Sequence, residues 1–310
     1  EVEPAVSSRT AMTKKNLMLF SGRAHPELAE QVAKQLDVTI TPQSASSFAN
    51  GEIFVRFEES VRGSDAFVLQ SHSAPINDQI MEQLIMVDAP KRASAKRISV
   101  VMPFWGYSRQ DKKHRGREPI SARLVADMFK VAGADRIMTV DLHTEHVSRT
   151  YADQELTVVS PDSGRVRLAE RWAETLGGSP VAFIHKTRDP NRPNEARANR
   201  VVGEIYGRLC VVIDDMIDTG GTVAKAVQAL LAQGAKDVVV AATHGVLSGP
   251  AGERLAGCGA REVIFTDTLP IPDEKRFPTM TVLPIAPLLA EAIHQVFHDG
   301  SVTSLFDGNA

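Results

Sequence analysis

The chain contains itself twice, and that repeat limits its possible folds more than any other feature. Leu28-Ala-Glu-Gln-Val-Ala-Lys-Gln-Leu36 returns as Leu168-Ala-Glu-Arg-Trp-Ala-Glu-Thr-Leu176, each after an apolar run, LMLFS at 17–21 and LTVVS at 156–160. Further on, RISVVM (97–102) matches RLCVVI (208–213), and GADRIMTVDLH (133–143) matches GAKDVVVAATH (234–244). Chance matches rarely keep one order over four segments, so two units of one design are expected. The 310 residues suit two domains of about 150 each.

Within each unit, apolar runs alternate with amphipathic stretches. AFVLQ (66–70), VAFIH (181–185) and DVVVAA (237–242) lack polar alternation, the pattern of parallel strands buried on both faces. The expected fold class is α/β: two duplicated domains, each a mainly parallel sheet flanked by helices. Their expected bounds are 16–152 and 153–294, with a tail, 295–310, that packs back on the first domain. Residues 1–15 read as an extension, with Met12 as a candidate natural start.

The repeat also exposes a shortfall. After His244 the second unit continues with a helical stretch (251–256) and an apolar strand (262–266), whereas only TEHVSRTYADQE separates His143 from the next unit. A helix and strand of roughly 20 residues are expected to be missing from the first unit. A lost strand leaves an unpaired sheet edge, so an omitted segment is favoured over a true deletion. Omission predicts a break between Thr144 and Tyr151, wider than the ~3.8 Å of a trans peptide.

Composition narrows function mainly by exclusion. Hydrophobic residues at 43% and charged residues at 24% exclude a disordered or fibrous chain. With 35 Lys and Arg against 38 Asp and Glu, the net charge is −3 and no global positive field points to nucleic acid or an anionic membrane. Cys210 lies in an apolar run and reads as core. There is no apolar run of membrane-spanning length and no signal-peptide core, so the location reads as cytoplasmic.

Ligands of open α/β sheets bind outside the carboxyl ends of the strands. In VVIDDMIDTGGT (211–222) a strand runs into Asp214 and Asp215, then Asp218, Thr219, Gly220, Gly221 and Thr222, then a helix from about Val223. Amides converging at a helix N-terminus bind phosphate. The acidic pair suits sugar hydroxyls or a metal. A lone DTGGT is as often a capping turn; strand, acidic pair and glycines together make a strong signal.

The first-unit counterpart is read as PFWGYSRQDKKHRGREPIS (103–121). There Arg109, Lys112, Lys113, Arg115 and Arg117 face Asp111 and Glu118, a local +3 interleaved with Phe104, Trp105 and Tyr107 that suits polyphosphate. Lys186 and Arg188 in HKTRDP (185–190) are placed to neutralise charge on a transferring phosphoryl group. Asp141, His143 and Asp162 stand at strand ends as candidate Mg²⁺ ligands, with His244 as an internal control that has no aspartate beside it. In FANGEIFVRF (48–57), Asn50, Gly51 and Glu52 form a turn in which Phe48 is a candidate to stack a base. Neither GxxxxGKS/T nor GxGxxG occurs, which disfavours P-loop and Rossmann sites.

Together these motifs resemble one family, the ribose-phosphate pyrophosphokinases of the class I bacterial type, over about residues 16–310. VVIDDMIDTGGT resembles the family's ribose 5-phosphate loop, SRQDKKHRGREPISA its flag region and ATP site, VDLHT and SPDSG its metal and pyrophosphate region, and KTRD its catalytic flexible loop. LIMVDAPKRASAKRI, APLLAEAI and SVTSLF are similar to further family segments. Asn50 stands where many members have Asp, and KTRD where many have KRR. The segment containing QIQGFF that members carry after DLH is lacking, at the place where the repeat shows its shortfall.

The resemblance implies transfer of the pyrophosphoryl group of Mg·ATP to the 1-hydroxyl of ribose 5-phosphate, for nucleotide, histidine and tryptophan biosynthesis. It implies catalytic roles for Lys186 and Arg188, and ATP contacts from Phe48, Asn50, Gly51, Glu52, Arg109, Gln110, Asp111 and Lys112. Ribose 5-phosphate falls to Arg188, Asp214, Asp215, Asp218, Thr219, Gly220, Gly221 and Thr222, and Mg²⁺ to His143 and Asp162 with Asp141 as a third candidate. It further implies a homo-oligomer, expected as a hexamer, with phosphate and ADP as effectors and Ser301 to Ser304 as a contact. No nucleic-acid or membrane partner is implied. The rival readings are a type I phosphoribosyltransferase, which shares 211–222, and a catalytically inactive regulatory homologue.

Overall fold

The computed structural model describes residues 16–113, 115–140, 145–185 and 200–302. The first half runs β1 (Leu17–Ser21), α1 (Pro26–Leu36), β2 (Gln43–Ser47), β3 (Ile53–Phe57), β4 (Asp65–Leu69), α2 (Ile76–Arg92), β5 (Arg97–Met102), α3 (Ser121–Ala132) and β6 (Arg136–Thr139). Its main sheet has the order β1-β4-β5-β6, all parallel, and β2 and β3 form a separate antiparallel hairpin. α1 starts on Pro26, whose missing N–H costs nothing at that position, and buries Leu28, Ala29, Val32 and Ala33 on one face.

After α4 (Glu145–Thr150), the second half runs β7 (Leu156–Ser160), α5 (Val166–Thr175), β8 (Val181–His185), β9 (Arg200–Val202), β10 (Leu209–Ile217), α6 (Gly221–Ala232), β11 (Asp237–Gly245), α7 (Ala251–Ala256), β12 (Glu262–Thr266), β13 (Met280–Leu283) and α8 (Ala286–Phe297). Its sheet has the order β13-β12-β11-β10-β7-β8-β9, parallel except for the pair β8–β9. The expected class, two α/β units built on mainly parallel sheets, is what the chain adopts.

Register corrects the repeat. Leu17 lies opposite Asp65, and Leu156 opposite Leu209. Since 17–21 match 156–160, β4 corresponds to β10, β5 to β11 and β6 to β12. The sequence matches beyond the first helix were therefore one βα unit out of step: all these strands carry similar Val- and Ile-rich runs, which fix burial but not order. The loop at 103–121 is thus the twin of the one after β11. The twin of the DTGGT loop is the turn after β4, Gln70 to Asn77.

The shortfall changes identity too. α7 and β12 have counterparts in α3 and β6; what the first half lacks is the counterpart of β13. No strand pairs with the outer side of β6 among the described residues, and Ile137 there is 38% exposed. The break expected on the omission reading is absent from 145–151. Helix α4 ends at Thr150, and the next residue, Tyr151, donates its N–H to the Val147 carbonyl at 3.0 Å. Thr144 lies outside the described residues.

Packing assigns the joining segments. Val147 and Tyr151 enter the second sheet's core beside Trp172 and Val211. Leu289 and Ile293 of α8 pack with Leu28 and Val32 of α1, on a face of the first sheet. Arg97 braces that return, pairing with Asp65 at 2.7 Å and with Asp299 after α8. Cys210 is fully buried, as its apolar run implied. Among the described residues, no helix is long and apolar enough to cross a membrane.

The two sheets meet at their carboxyl ends. Phe104 after β5, Met216 on β10 and Leu269 after β12 form a small apolar cluster across the seam. Ser71 donates its hydroxyl to the Thr268 carbonyl at 2.6 Å, and His25 Nε2 lies 2.8 Å from the Asp267 carbonyl. Among the described residues, the end of β10 and the segments that follow β1, β4, β5 and β12 therefore meet at this seam.

Candidate active site

The sugar-phosphate loop is set by its backbone. Gly220 takes the left-handed conformation (φ +71°) as α6 begins, and a Cβ there would sit 3.3 Å from Leu255. Glycine is favoured at such a position. No side chain caps α6, so its first amides keep their hydrogen-bonding capacity for an anion. Arg254 donates to the Thr219 carbonyl at 2.9 Å, fixing the loop from behind. Asp214 and Asp215 are the two half-buried positions of β10, between buried Ile213 and buried Met216.

Their electrostatics are unequal. Burial, reinforced by Asp215, pushes the Asp214 carboxyl up to about 7, while the Arg165 guanidinium pulls the other way. Arg165, the residue after SPDSG, stands 2.7 Å from Asp215 Oδ2 and 3.6 Å from Asp214 Oδ1. Asp218 is held below the usual carboxylate range, first by the Ser248 hydroxyl and then by Arg109. His244, the internal control, is pushed down to about 4 by burial; its Nδ1 lies 2.9 Å from the Thr268 hydroxyl.

The basic loop reaches across the seam. Arg109 Nη1 pairs with Asp218 Oδ2 at 2.9 Å, and its Nε–H lies 2.7 Å from Met216 Sδ. A cavity of about 390 Å³ opens there, lined by Asn77, Tyr107, Arg109 and Gln110 from the first half and by Met216, Asp218 and Ser248 from the second. Gln110 is positioned by Ser121, whose hydroxyl donates to Oε1 at 2.6 Å at the start of α3. His72 is buried with Nδ1 accepting from Gly106 N–H at 2.9 Å, so the core holds the start of this loop.

The structure thus brings Arg109, Gln110 and Asp218 together, with the 219–222 amides and the acidic pair on the same loop. Asp111 and Lys112 are exposed and do not line the cavity, nor do Phe48, Asn50, Gly51 and Glu52. The last four form the tip of the β2–β3 hairpin, closed by Gly51 N–H on the Phe48 carbonyl (2.9 Å), with Phe48 55% exposed. Asp162 Oδ1 accepts from Gly164 N–H at 2.8 Å at the end of β7. Asp141, His143, Lys186, Arg188 and Ser304 lie outside the described residues.

Sequence reading missed Asn77, Met216, Ser248 and Arg165. Asn77 stands in the first turn of α2, Met216 on β10 and Ser248 after β11, and only tertiary contact brings them to the cavity. Arg165 had a signal: a cation directly after a glycine turn at a strand end.

Known proteins match along both halves. Residues 17–133 match the profile of the N-terminal domain of ribose phosphate pyrophosphokinase, and residues 179–307 that of the phosphoribosyl synthetase-associated domain. The ribose-phosphate pyrophosphokinase of Mycobacterium tuberculosis strain H37Rv is 66% identical over 318 aligned positions, covering 96% of this chain and 98% of that protein. That of Corynebacterium glutamicum is 60% identical over the same length, at the same coverages. The crystal structure of phosphoribosylpyrophosphate synthetase from Mycobacterium smegmatis superposes with a TM-score of 0.87 at 63% identity, covering 92% of this chain and 100% of that one.

The 318 aligned positions exceed the chain's own 310 residues, and 96% of 310 is about 298, so these relatives hold about 20 positions with no counterpart here. That is the size of the shortfall the repeat exposed. With both profiles in chain order and close identity over nearly the whole length, the chain belongs to the ribose-phosphate pyrophosphokinase family.

Proposed function

We propose that the protein transfers the β,γ-pyrophosphoryl group of Mg·ATP to the 1-hydroxyl of ribose 5-phosphate, giving 5-phosphoribosyl 1-pyrophosphate and AMP. The observation that carries this reading is the cavity at the seam, where Arg109 of the basic loop meets Asp218 of the phosphate loop at 2.9 Å. Such transfer needs little covalent help from protein, so positioning and charge neutralisation dominate. The amides and hydroxyls of 218–222 hold the 5-phosphate at the N-terminus of α6, and Asp214 and Asp215 accept from ribose hydroxyls. Arg109, Gln110, Asp111 and Lys112 contact ATP. Lys186 and Arg188 close over the reacting β-phosphate, Arg188 also serving the sugar phosphate.

Asp162, whose Oδ1 accepts from Gly164 N–H after β7, offers a hard carboxylate oxygen, the donor chemistry Mg²⁺ takes, although no three His, Cys, Asp or Glu side chains cluster among the described residues. His143 and Asp162, with Asp141 as a third candidate, would hold the ion, which takes further oxygens from phosphate and water. When bound it supplies neutralisation of phosphate charge.

The exposed hairpin tip supports self-association: Phe48, Asn50, Gly51 and Glu52 serve ATP from a neighbouring copy, with a hexamer as the expected form. Phosphate and ADP are the proposed effectors, Ser301 to Ser304 a contact for them, and the cytoplasm the location. The proposed domain division is 16–152 and 153–294, with the tail 295–310 returning to the first domain; the packing of α8 on α1 supports that return.

Incubation with ATP, Mg²⁺ and ribose 5-phosphate tests the activity. The expected result is AMP in step with a new sugar pyrophosphate. Nucleotide binding without turnover would point to an inactive regulatory homologue, and consumption of the activated sugar to a phosphoribosyltransferase.

A further inference from the structure

We infer that Arg165 is a positioning residue for the sugar: it holds the carboxylates of Asp214 and Asp215 in the orientation that accepts ribose hydroxyls. This rests on the sugar-binding reading of that pair given above.

One guanidinium spans both groups, at 2.7 Å from Asp215 Oδ2 and 3.6 Å from Asp214 Oδ1. The backbone holds the pair as well: Asp215 N–H donates to Asp214 Oδ1 at 2.9 Å, and Met216 N–H to Asp215 Oδ1 at 3.0 Å. Each carboxylate is thus held twice, and Arg165 stays 43% exposed, so it acts at the surface of the site and not in the core.

The twin sheet supplies the control. At equal register β4 leads into Gln70 and Ser71 where β10 has Asp214 and Asp215. There the loop after β1 carries Arg23, which is bound by the buried Glu82 of α2 at 2.6 Å, and Gln70 bonds Gln79 at 2.9 Å. At that spot the fold closes around neutral Gln70 and Ser71, with a single buried carboxylate, Glu82, paired to Arg23. Two adjacent, partly buried carboxylates are therefore not a demand of the architecture. They repel each other unless a cation bridges them, and Arg165 bridges both. The planar fork of Arg suits two acceptors at once, which a Lys ammonium does less well.

The test compares Arg165→Gln and Arg165→Lys with the unaltered protein, by calorimetric binding of ribose 5-phosphate, 2-deoxyribose 5-phosphate and ATP, with AMP formation read in parallel. Arg165→Gln is expected to weaken ribose 5-phosphate about tenfold, the size of one lost charge-assisted bond. The deoxy sugar should lose less, since it lacks one hydroxyl to be read, and ATP should be unchanged. Arg165→Lys should restore part of the selectivity. Equal losses for both sugars, unchanged binding, or a matching loss for ATP would overturn the role. If Arg165→Gln does not fold, the Lys variant alone decides by the same comparison. An unaltered protein that binds the sugars but forms no AMP counts against the proposed activity and leaves the binding comparison in force.

Discussion

Burial and the neighbouring Asp215 push the Asp214 carboxyl up to about 7, against the pull of Arg165. Ribose hydroxyls donate, so the ionised carboxylate is the form that binds. As pH rises through about 7 Asp214 loses its proton, and ribose 5-phosphate affinity is expected to rise, then level off above about 8. The groups facing the pair are Arg165 and, in the field of Asp215, His244, which burial keeps neutral over this range. Calorimetric titration across that range checks the sign; affinity that falls with pH would contradict it. On the proposed mechanism Lys186 acts at another moment. Lys186→Ala is expected to lower kcat on the order of 10²–10³-fold while shifting each KM only slightly, the pattern of a contact made mainly in the transition state. Near-normal kcat would remove Lys186 from that role. At this scale the motif residues were legible, because loop chemistry is local: Asp214, Asp218 and Gly220 stand where their spacing put them. Arg165 and Ser248 were not, since each works through a partner distant in sequence.

Elements carry a different message. α7 and β12 fell at 251–256 and 262–266 as their patterns implied, and the hairpin turn at Asn50–Glu52 is where the NG pair places it. Strand identity was harder to read. Strands buried on both faces share one composition, so RISVVM and RLCVVI matched although β5 pairs in the place of β11. Hydrogen-bond register resolved what composition could not. The return of α8 to the first sheet was foreshadowed only as a tail, because its partner α1 lies more than two hundred residues earlier in the chain. Ile293, fully buried in that contact, gives the check. Ile293→Ala is expected to cost about 2–5 kcal/mol, read by denaturant unfolding. A loss below about 1 kcal/mol would show that α8 is not part of that core.

At the scale of the molecule, one α/β design used twice turns two sets of strand ends toward each other. Neither half alone builds the cavity: Tyr107, Arg109 and Gln110 come from one, Met216, Asp218 and Ser248 from the other. The near-zero net charge conceals this division, with a basic loop set against an acidic pair. The chain also lacks about 20 positions that its relatives have, and the open side of β6 is where the twin sheet carries one strand more. The most direct test of a reaction across the seam is ³¹P NMR of the purified protein with ATP, Mg²⁺ and ribose 5-phosphate. The account predicts AMP in equal amount with a pyrophosphate ester on the sugar, its two phosphorus signals coupled. Formation of ADP with a sugar bisphosphate, or an unchanged spectrum, would contradict it.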